Sequence, residues 1–196
     1  MEWEFVMADE QPVSEWSGGQ TRELYIAPAG SSYAARDFTL RLSTASVAAS
    51  HSVFTALPDY ERWLLLVSGE LRLQHDGGEV VCMKPFQVNA FSGQSRTLSW
   101  GECQDFNVML RRTAEKTVTL EGWQGRGVKL TLPAAADEQH FFYAAAGGAE
   151  IEAAGIHLQL PAGALLHLCG ASPELHLLLQ GALVHVGLAG VDVRGA

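Results

Sequence analysis

Short alternating stretches of apolar and polar residues, separated by turn signals, are the feature that most restricts how this chain can fold. Turn residues recur at roughly ten-residue intervals, and Asp76-Gly77-Gly78 is typical of a β-hairpin. Between the turns, apolar residues alternate with the period of two that is typical of a β-strand. The pattern therefore predicts an all-β protein, built as a sandwich or a barrel.

The clearest alternation lies in residues 105–112, which we interpret as a strand. Its apolar face carries Phe106, Val108 and Leu110, and its other face carries Asp105, Asn107, Met109 and Arg111. Two alternatives stay open for the polar face. It lies in water at the edge of a sheet, or it points into the mouth of a small barrel, where its side chains would contact a ligand.

The same plan of strands and turns runs through both halves of the chain. We predict an N-terminal half at residues 1–112 and a C-terminal half at residues 113–196, in one compact chain, because no Pro- or Ser-rich linker lies near residue 113. In the second half, a short helical turn or a loop is expected at residues 133–145. Separate strands are expected at residues 117–121, 127–132, 174–180 and 183–188.

Composition and charge exclude several classes of function. With 196 residues, 47% of them hydrophobic, the chain can bury a sizeable core. Its formal charge of −9 and the lack of a basic cluster argue against nucleic acid and anionic membrane surfaces as partners. They are compatible with a small anion bound by one or two arginines. Because no apolar run is long enough to cross a bilayer, we expect no membrane partner.

The three cysteines, Cys82, Cys103 and Cys169, are widely spaced and include no CxxC motif. This spacing indicates neither a disulfide framework nor a zinc site. Together with an acidic start that lacks an apolar leader segment, it favours a reducing cytoplasm. We expect all three thiols to be free.

No motif for catalysis or for metal binding stands out. The sequence has no GxSxG nucleophile motif, and its histidines include no HxH pair. Histidines on separate strands of the second half could converge in space, which the sequence leaves open. We therefore predict no catalytic residue, no metal ligand and no cofactor.

Two features point to a pocket in the first half. Arg41 lies within an alternating stretch at residues 38–43, and an arginine there needs a partner or solvent. An ion pair with Asp105 or Glu23 is one interpretation, and an anionic ligand is the other. The Gly18-Gly19 pair also has two interpretations: a bulge or hairpin turn, or a glycine loop at the rim of a pocket with Trp16 as a wall.

Five motifs occur in order along the first half of the chain. The first is Trp16-Ser17-Gly18-Gly19-Gln20-Thr21-Arg22-Glu23, and the last is Asp105-Phe106-Asn107-Val108-Met109 followed by Arg111. Between them lie residues 38–47 with Arg41 and Ser43, residues 54–62 with Leu57-Pro58-Asp59, and residues 85–93 with Pro85-Phe86 and Phe91-Ser92-Gly93. In this order the motifs resemble those of the HutD/Ves family. The second half is similar to that family only in its general β pattern.

The resemblance implies a bicupin, in which two β-barrel, jelly-roll-like halves form one compact chain without the usual cupin metal ligands. The family is associated with histidine-utilisation and stress-response genes in bacteria. The resemblance implies a regulatory or accessory protein that binds a small acidic metabolite, such as the histidine-degradation intermediate N-formylglutamate. Here the glycine loop lacks one glycine and the family's asparagine, and Leu40 replaces its tryptophan. The shape of the pocket, and its ligand, can therefore differ.

The expected ligand site lies in the N-terminal half. Its arginines would pair with a carboxylate, while Asn107 and Thr21 would donate or accept orienting hydrogen bonds. Trp16 and Met109 would form apolar walls. The full set is Trp16, Thr21, Glu23, Arg41, Ser43, Arg62, Asp105, Asn107 and Met109. The alternatives are a cupin enzyme, an isomerase or a dioxygenase, acting on a small polar metabolite, and a structural or partner-binding protein; a homodimer is left open.

Overall fold

The computed structural model describes residues 1–112, 116–133, 138–170 and 174–191, and these residues form two compact units. The N-terminal unit comprises residues 12–112, and the C-terminal unit comprises residues 1–11 with the described residues from 116 to 191. The first strand, β1 (Glu2–Val6), belongs to the C-terminal unit because it pairs with Leu165–Cys169. The observed division therefore differs from the expected half of residues 1–112 at the amino terminus.

The described secondary structure consists of β-strands, so the all-β prediction is confirmed. The strands of the N-terminal unit are β2 (Val13–Trp16), β3 (Gly19–Ala27), β4 (Leu40–Val47), β5 (His51–Val53), β6 (Tyr60–Gly69), β7 (Leu71–His75), β8 (Val80–Met83), β9 (Val88–Ser92), β10 (Thr97–Trp100) and β11 (Cys103–Arg111). The remaining strands of the C-terminal unit are β12 (Thr117–Pro133), β13 (Gln139–Ala146), β14 (Ala149–Ala153), β15 (Ile156–Leu160), β16 (Leu165–Cys169) and β17 (Glu174–Ala189). None of the described residues forms a helix that could span a membrane.

Two sheets build the N-terminal unit. The larger has the strand order β2-β3-β4-β11-β6-β9, and the smaller has the order β5-β10-β7-β8. Leu64 and Leu66 of the larger sheet pack with Leu71 and Leu73 of the smaller one in a single buried cluster. Burying each such side chain contributes about 1.5–3 kcal/mol. Among the described residues both sheets keep their edge strands, so this pairing shows two sheets around a core and not a closed barrel.

One sheet of seven strands forms the C-terminal unit. Its order is β1-β16-β13-β17-β14-β15, with β12 paired to β17. β12 and β17 pair along their whole lengths, with one irregularity between Arg126 and Val128. Buried leucines from β15, β16 and β17 pack around Phe142 and Ile151 to form its core.

The second half differs from expectation in its strand lengths. β12 and β17 are each continuous where two strands were expected, because Gly125 and Gly181 lie opposite each other and the pairing continues on both sides of them, past the irregularity between Arg126 and Val128. Residues 138–145, expected to form a helical turn or a loop, lie mostly in β13. β13 pairs with β16 on one side and with β17 on the other, and its residues Phe141 and Phe142 are buried. Residues 134–137 of the same expectation lie outside the described part of the chain.

The three cysteines differ in their exposure to solvent. Cys82 is exposed, Cys103 and Cys169 are buried, and all three are free. Burial raises the pKa of the Cys103 thiol to about 12. Because the thiolate is the reactive form, Cys103 is protected from alkylation and oxidation in the folded protein.

We expect thiol titration of the folded protein to detect Cys82 rapidly and the two buried cysteines slowly. Denaturation without reductant should raise the count to three thiols. Cys82→Ser should remove the rapid phase, whereas Cys103→Ser should leave it intact. A denatured count of one would contradict the free state of all three.

Candidate functional site

The central strand of the larger sheet, β11, places the polar groups of the candidate site. β11 lies between β4 and β6, so its residues have antiparallel partners on both sides. Met109 lies opposite both Arg41 and Arg62, and Asn107 lies opposite Ser43. Directly opposed residues project from the same face of a sheet. The register therefore brings these side chains together on one face.

This face forms a wall of a cavity of about 350 Å³, a size suited to a small molecule. Of the residues predicted to bind a ligand, the cavity is lined by Trp16, Thr21, Arg41, Ser43, Arg62, Asp105, Asn107 and Met109. The remaining one, Glu23, reaches the site through its contact with Arg41. The alternative that the polar face of β11 lies in water is wrong, because Asp105, Asn107 and Met109 are all buried.

Arg41 has its partners within the protein. Its Nε donates a hydrogen bond to Glu23 Oε2 at 2.7 Å, and its Nη1 donates to Ser43 Oγ at 3.1 Å. The guanidinium carbon also lies 4.5 Å from the centre of the Tyr33 ring. The structure thus shows the ion pair that was one of the two interpretations of Arg41, with Glu23 as the partner and not Asp105.

Arg62 is different, because it forms no ion pair with any of the described residues. It is only 6% exposed, and its guanidinium carbon lies 4.9 Å from the centre of the Phe54 ring and 5.2 Å from that of Phe91. Its Nη1 donates a long hydrogen bond of 3.5 Å to the Thr55 carbonyl, and its Nε has no hydrogen-bond partner. Burial lowers the pKa of Arg62 to about 10, so it stays charged at neutral pH.

Asp105 and Asn107 form a buried hydrogen-bonded pair. Asn107 Nδ2 donates to Asp105 Oδ1 at 2.7 Å, and Asn107 Oδ1 has no hydrogen-bond partner. Burial raises the pKa of Asp105 to about 7, although the charge of Arg62 opposes the rise. The cavity therefore contains one unpaired acceptor and one carboxyl group that titrates near neutral pH.

The glycine pair shapes the rim of the cavity. β2 and β3 form a hairpin in which Trp16 lies opposite Gly19, so Gly18 lies in the turn. A Cβ atom at Gly18 would lie 1.9 Å from the Trp16 ring, so a residue with a side chain cannot stand there while the indole lies over the turn. Trp16 Nε1 donates to Thr21 Oγ1 at 3.2 Å. Both interpretations of the glycine pair hold, since the hairpin turn positions the aromatic wall.

Two aromatic residues of the site were missed in the sequence. Phe54 packs on Arg62, and Tyr33 packs on Arg41. Phe54 and Arg62 begin and end one family motif, so that motif was a usable signal for their contact. Tyr33 lies between β3 and β4 without any periodic pattern, so nothing in the sequence pointed to it.

The donor groups of this cavity do not suit a transition metal. Its lining includes the carboxyl groups of Glu15 and Asp105 but no imidazole and no thiol. His75 uses both ring nitrogens in 2.9 Å hydrogen bonds with Thr97 and Asn89. Across residues 1–112 and the described residues beyond them, no three His, Cys, Asp or Glu side chains are grouped to hold a metal ion.

Comparison with protein families decides where this chain belongs. The HutD family model matches residues 8–185, which span both units. The chain belongs to the HutD family. The match extends the resemblance of the first half into the C-terminal unit, where the sequence offered only a β pattern. No curated protein matches the chain significantly.

Solved structures share the cupin-like β fold of this chain. PA5104, a conserved protein of unknown function from Pseudomonas aeruginosa, has a TM-score of 0.82 and 25% identity, and the match covers 97% of this chain and 100% of that one. For HutD from Pseudomonas fluorescens the TM-score is 0.75, the identity 21% and the coverage 97% and 100%. The Escherichia coli pirin YhhW, in complex with nickel(II), has a TM-score of 0.66 at 10% identity and covers 96% and 99%. At such identities the last two show a shared fold alone.

We expect Asp105 to lower the stability of the protein as the pH rises toward neutrality. Its pKa is raised from 3.8 to about 7 in the folded state, so between these values the folded protein holds a proton that the unfolded chain has lost. The stability that this proton contributes is complete below a pH of about 4. It is lost as the pH rises through about 7, by at most about 1.4 kcal/mol per pH unit.

Asp105→Asn removes this titration, so its free energy of unfolding relative to the wild type should increase from about pH 4 to about pH 7 in urea unfolding. Asp76→Asn is the matched control, because a hydrogen bond from the Arg96 backbone lowers the pKa of Asp76. The control should instead lose relative stability as the pH rises through about 4. A pH-independent difference for Asp105→Asn would contradict the raised pKa.

Proposed function

We propose that this protein binds a small acidic metabolite in the cavity of its N-terminal unit, as a metal-free cupin-type protein with a regulatory or accessory role. Arg62 carries the proposal: its guanidinium charge is buried and has no ion-pair partner among the described residues. A buried charge without a partner is costly. A ligand carboxylate would supply that partner, in the planar geometry that suits a guanidinium group.

The balance of charge in the cavity supports an anionic ligand. Arg41 and Glu23 cancel each other through their 2.7 Å ion pair. Asp105 has a pKa raised to about 7, so a large fraction of it is protonated at neutral pH. Arg62 is then the buried charge of the cavity without a counter-charge, because the remaining carboxylate of the lining, Glu15, is exposed to solvent. Because an ionised Asp105 would repel the anion, the affinity should fall as the pH rises above about 7.

The hydrogen-bonding groups of the cavity support a ligand that also carries an N–H or O–H donor. Asn107 Oδ1 is a buried acceptor without a partner, and leaving it unmet costs about 1–3 kcal/mol. Trp16 and Met109 offer apolar contact beside it. An N-acyl amino acid has both a carboxylate and an amide N–H. N-formylglutamate, an intermediate of histidine breakdown, is the example that we propose.

A bicupin architecture is part of this proposal. Each unit would be one barrel-like half of a bicupin, with the ligand site in the N-terminal half. The cupin-like neighbours support this assignment, since YhhW aligns with 96% of this chain. The rival function is a cupin enzyme, an isomerase or a dioxygenase, and oxalate decarboxylase shares the fold at 9% identity. Stoichiometric iron, manganese, nickel or zinc in the purified protein would favour the enzyme.

Arg62→Gln should weaken the binding of N-formylglutamate by about 2–5 kcal/mol in calorimetric titration, because it removes the charge that pairs with the ligand. Below about pH 7, where Asp105 holds its proton, the variant should leave the free energy of unfolding unchanged or higher, since Arg62 forms no ion pair with a described residue. Arg41→Gln is the matched control. It leaves Glu23 without its partner, so it should destabilise the fold by up to about 3 kcal/mol, less than for a fully buried pair because Glu23 partly reaches water.

Two results would count against this proposal. If Arg41→Gln lost affinity while Arg62→Gln bound the ligand normally, the anion would pair with Arg41 and not with Arg62. If neither N-formylglutamate nor formate nor glutamate bound the wild type at millimolar concentration, the metabolite itself would be wrong.

Asn107→Ala should weaken the binding of N-formylglutamate by about 1–3 kcal/mol, because the N–H group of the ligand loses its hydrogen-bond acceptor. Formate has no such donor, so its affinity should not change, which separates a lost hydrogen bond from a distorted cavity. The double variant with Arg62→Gln should be less than additive, because both residues hold one ligand. Equal losses for formate and N-formylglutamate would show that Asn107 acts through the shape of the site.

A further inference from the structure

A second cavity, of about 550 Å³, lies within the C-terminal unit. Strands β12, β13 and β17 supply its walls. The lining of the cavity includes Glu121, Leu132, Pro133, Glu138, His140 and His185. None of them takes part in the function proposed for the N-terminal unit.

His140 and His185 form a buried pair in this cavity, with 1% and 4% of their surfaces exposed. His140 Nδ1 lies 3.0 Å from His185 Nε2. The ring planes differ by only 15° and the ring centres are 5.3 Å apart. The two rings therefore meet end to end through one N–H···N hydrogen bond, and their other nitrogens lie at opposite ends of the pair.

Burial keeps this pair neutral at neutral pH. It lowers the pKa of His140, and together with the charge of His140 it lowers the pKa of His185 to about 3. A neutral imidazole carries one N–H. One of the two N–H groups is used in the shared hydrogen bond. Of the two outer nitrogens, one therefore carries a hydrogen and the other is a bare acceptor, and both rings have the same tautomer.

Each outer nitrogen of the pair faces a carboxylate. His140 Nε2 lies 3.8 Å from Glu138 Oε2, and His185 Nδ1 lies 4.0 Å from Glu121 Oε2. These separations are too long for direct hydrogen bonds, and neither outer nitrogen has a hydrogen-bond partner. At the end where the outer nitrogen carries no hydrogen, both that nitrogen and the carboxylate oxygen facing it are hydrogen-bond acceptors. A ligand nitrogen with two N–H groups could lie ~2.9 Å from both.

We propose that this cavity is a second ligand site, which binds a small organic cation with at least two N–H donors, such as a protonated amidine or amine. Glu121 and Glu138 supply negative charge that the neutral histidines do not offset, and Leu132 and Pro133 supply an apolar wall. A metal ion fits less well. Because the outer nitrogens lie at opposite ends of the pair, one ion would reach only one imidazole and one carboxylate.

Benzamidine, a cation at neutral pH, is the probe, and neutral benzamide of the same shape is its control. In calorimetric titration of the full chain, benzamidine should bind at one site, and benzamide at least about tenfold more weakly. The double variant Glu121→Gln and Glu138→Gln should bind benzamidine at least about tenfold more weakly than the wild type. Glu152→Gln, which removes a partly buried carboxylate of the same unit outside this cavity, should leave the affinity for benzamidine unchanged.

Nitrogen NMR of the histidine side chains tests the proton arrangement directly. We expect one shared neutral tautomer for His140 and His185, and a shift of one bare ring nitrogen when benzamidine is added. The proposal is overturned if benzamidine gives no heat at millimolar concentration, or binds the double glutamate variant as tightly as the wild type. It is also overturned if the two rings differ in tautomer, or if zinc binds stoichiometrically to both histidines and excludes benzamidine.

Discussion

The antiparallel register of β11 between β4 and β6 is the constraint on which the N-terminal unit depends. It puts Arg41, Met109 and Arg62 in one row and Ser43 beside Asn107 in the next. A slip of one residue would reverse every side chain of the strand and point Phe106 and Val108 into the cavity. Both are 0% exposed on the opposite face, and burying each contributes about 1.5–3 kcal/mol. The apolar face therefore fixes the geometry of the polar one.

That register places charged groups where water is scarce, and each is compensated differently. Arg41 is neutralised by Glu23 at 2.7 Å, and Asp105 can hold a proton because burial raises its pKa to about 7. Arg62 has the rings of Phe54 and Phe91, but contact with an aromatic face contributes only about 0.5–2 kcal/mol. This is less than the several kcal/mol that desolvating an ion costs. An anion bound at Arg62 would relieve that cost, so binding and stability should increase together.

Much of the fold follows from local pattern in the sequence. The alternation in residues 105–112 gave the strand and its two faces, and ordered motifs gave a family that residues 8–185 match. Strand continuity was not predictable, because Gly125 and Gly181 are turn signals by composition but pair with each other in the ladder. The first strand was placed in the wrong half, because its pairing with β16 joins residues far apart in sequence. In the site, the sequence indicated which polar residues share a face and offered Asp105 or Glu23 as the partner of Arg41. It did not show that Glu23 is the partner, or that Arg62 has no ion pair among the described residues.

The same physical rule gives opposite charges in the two cavities. Burial disfavours the charged form of any titratable group. In the N-terminal cavity the most deeply buried titratable group near neutral pH is an acid, Asp105, so burial removes negative charge and leaves Arg62 to set a positive potential. In the C-terminal cavity the buried groups are the bases His140 and His185, so burial removes positive charge and leaves Glu121 and Glu138 to set a negative one. If the two proposed sites bind as we infer, the kind of side chain that each sheet buries, and not the net charge of −9, would decide which ions each cavity prefers.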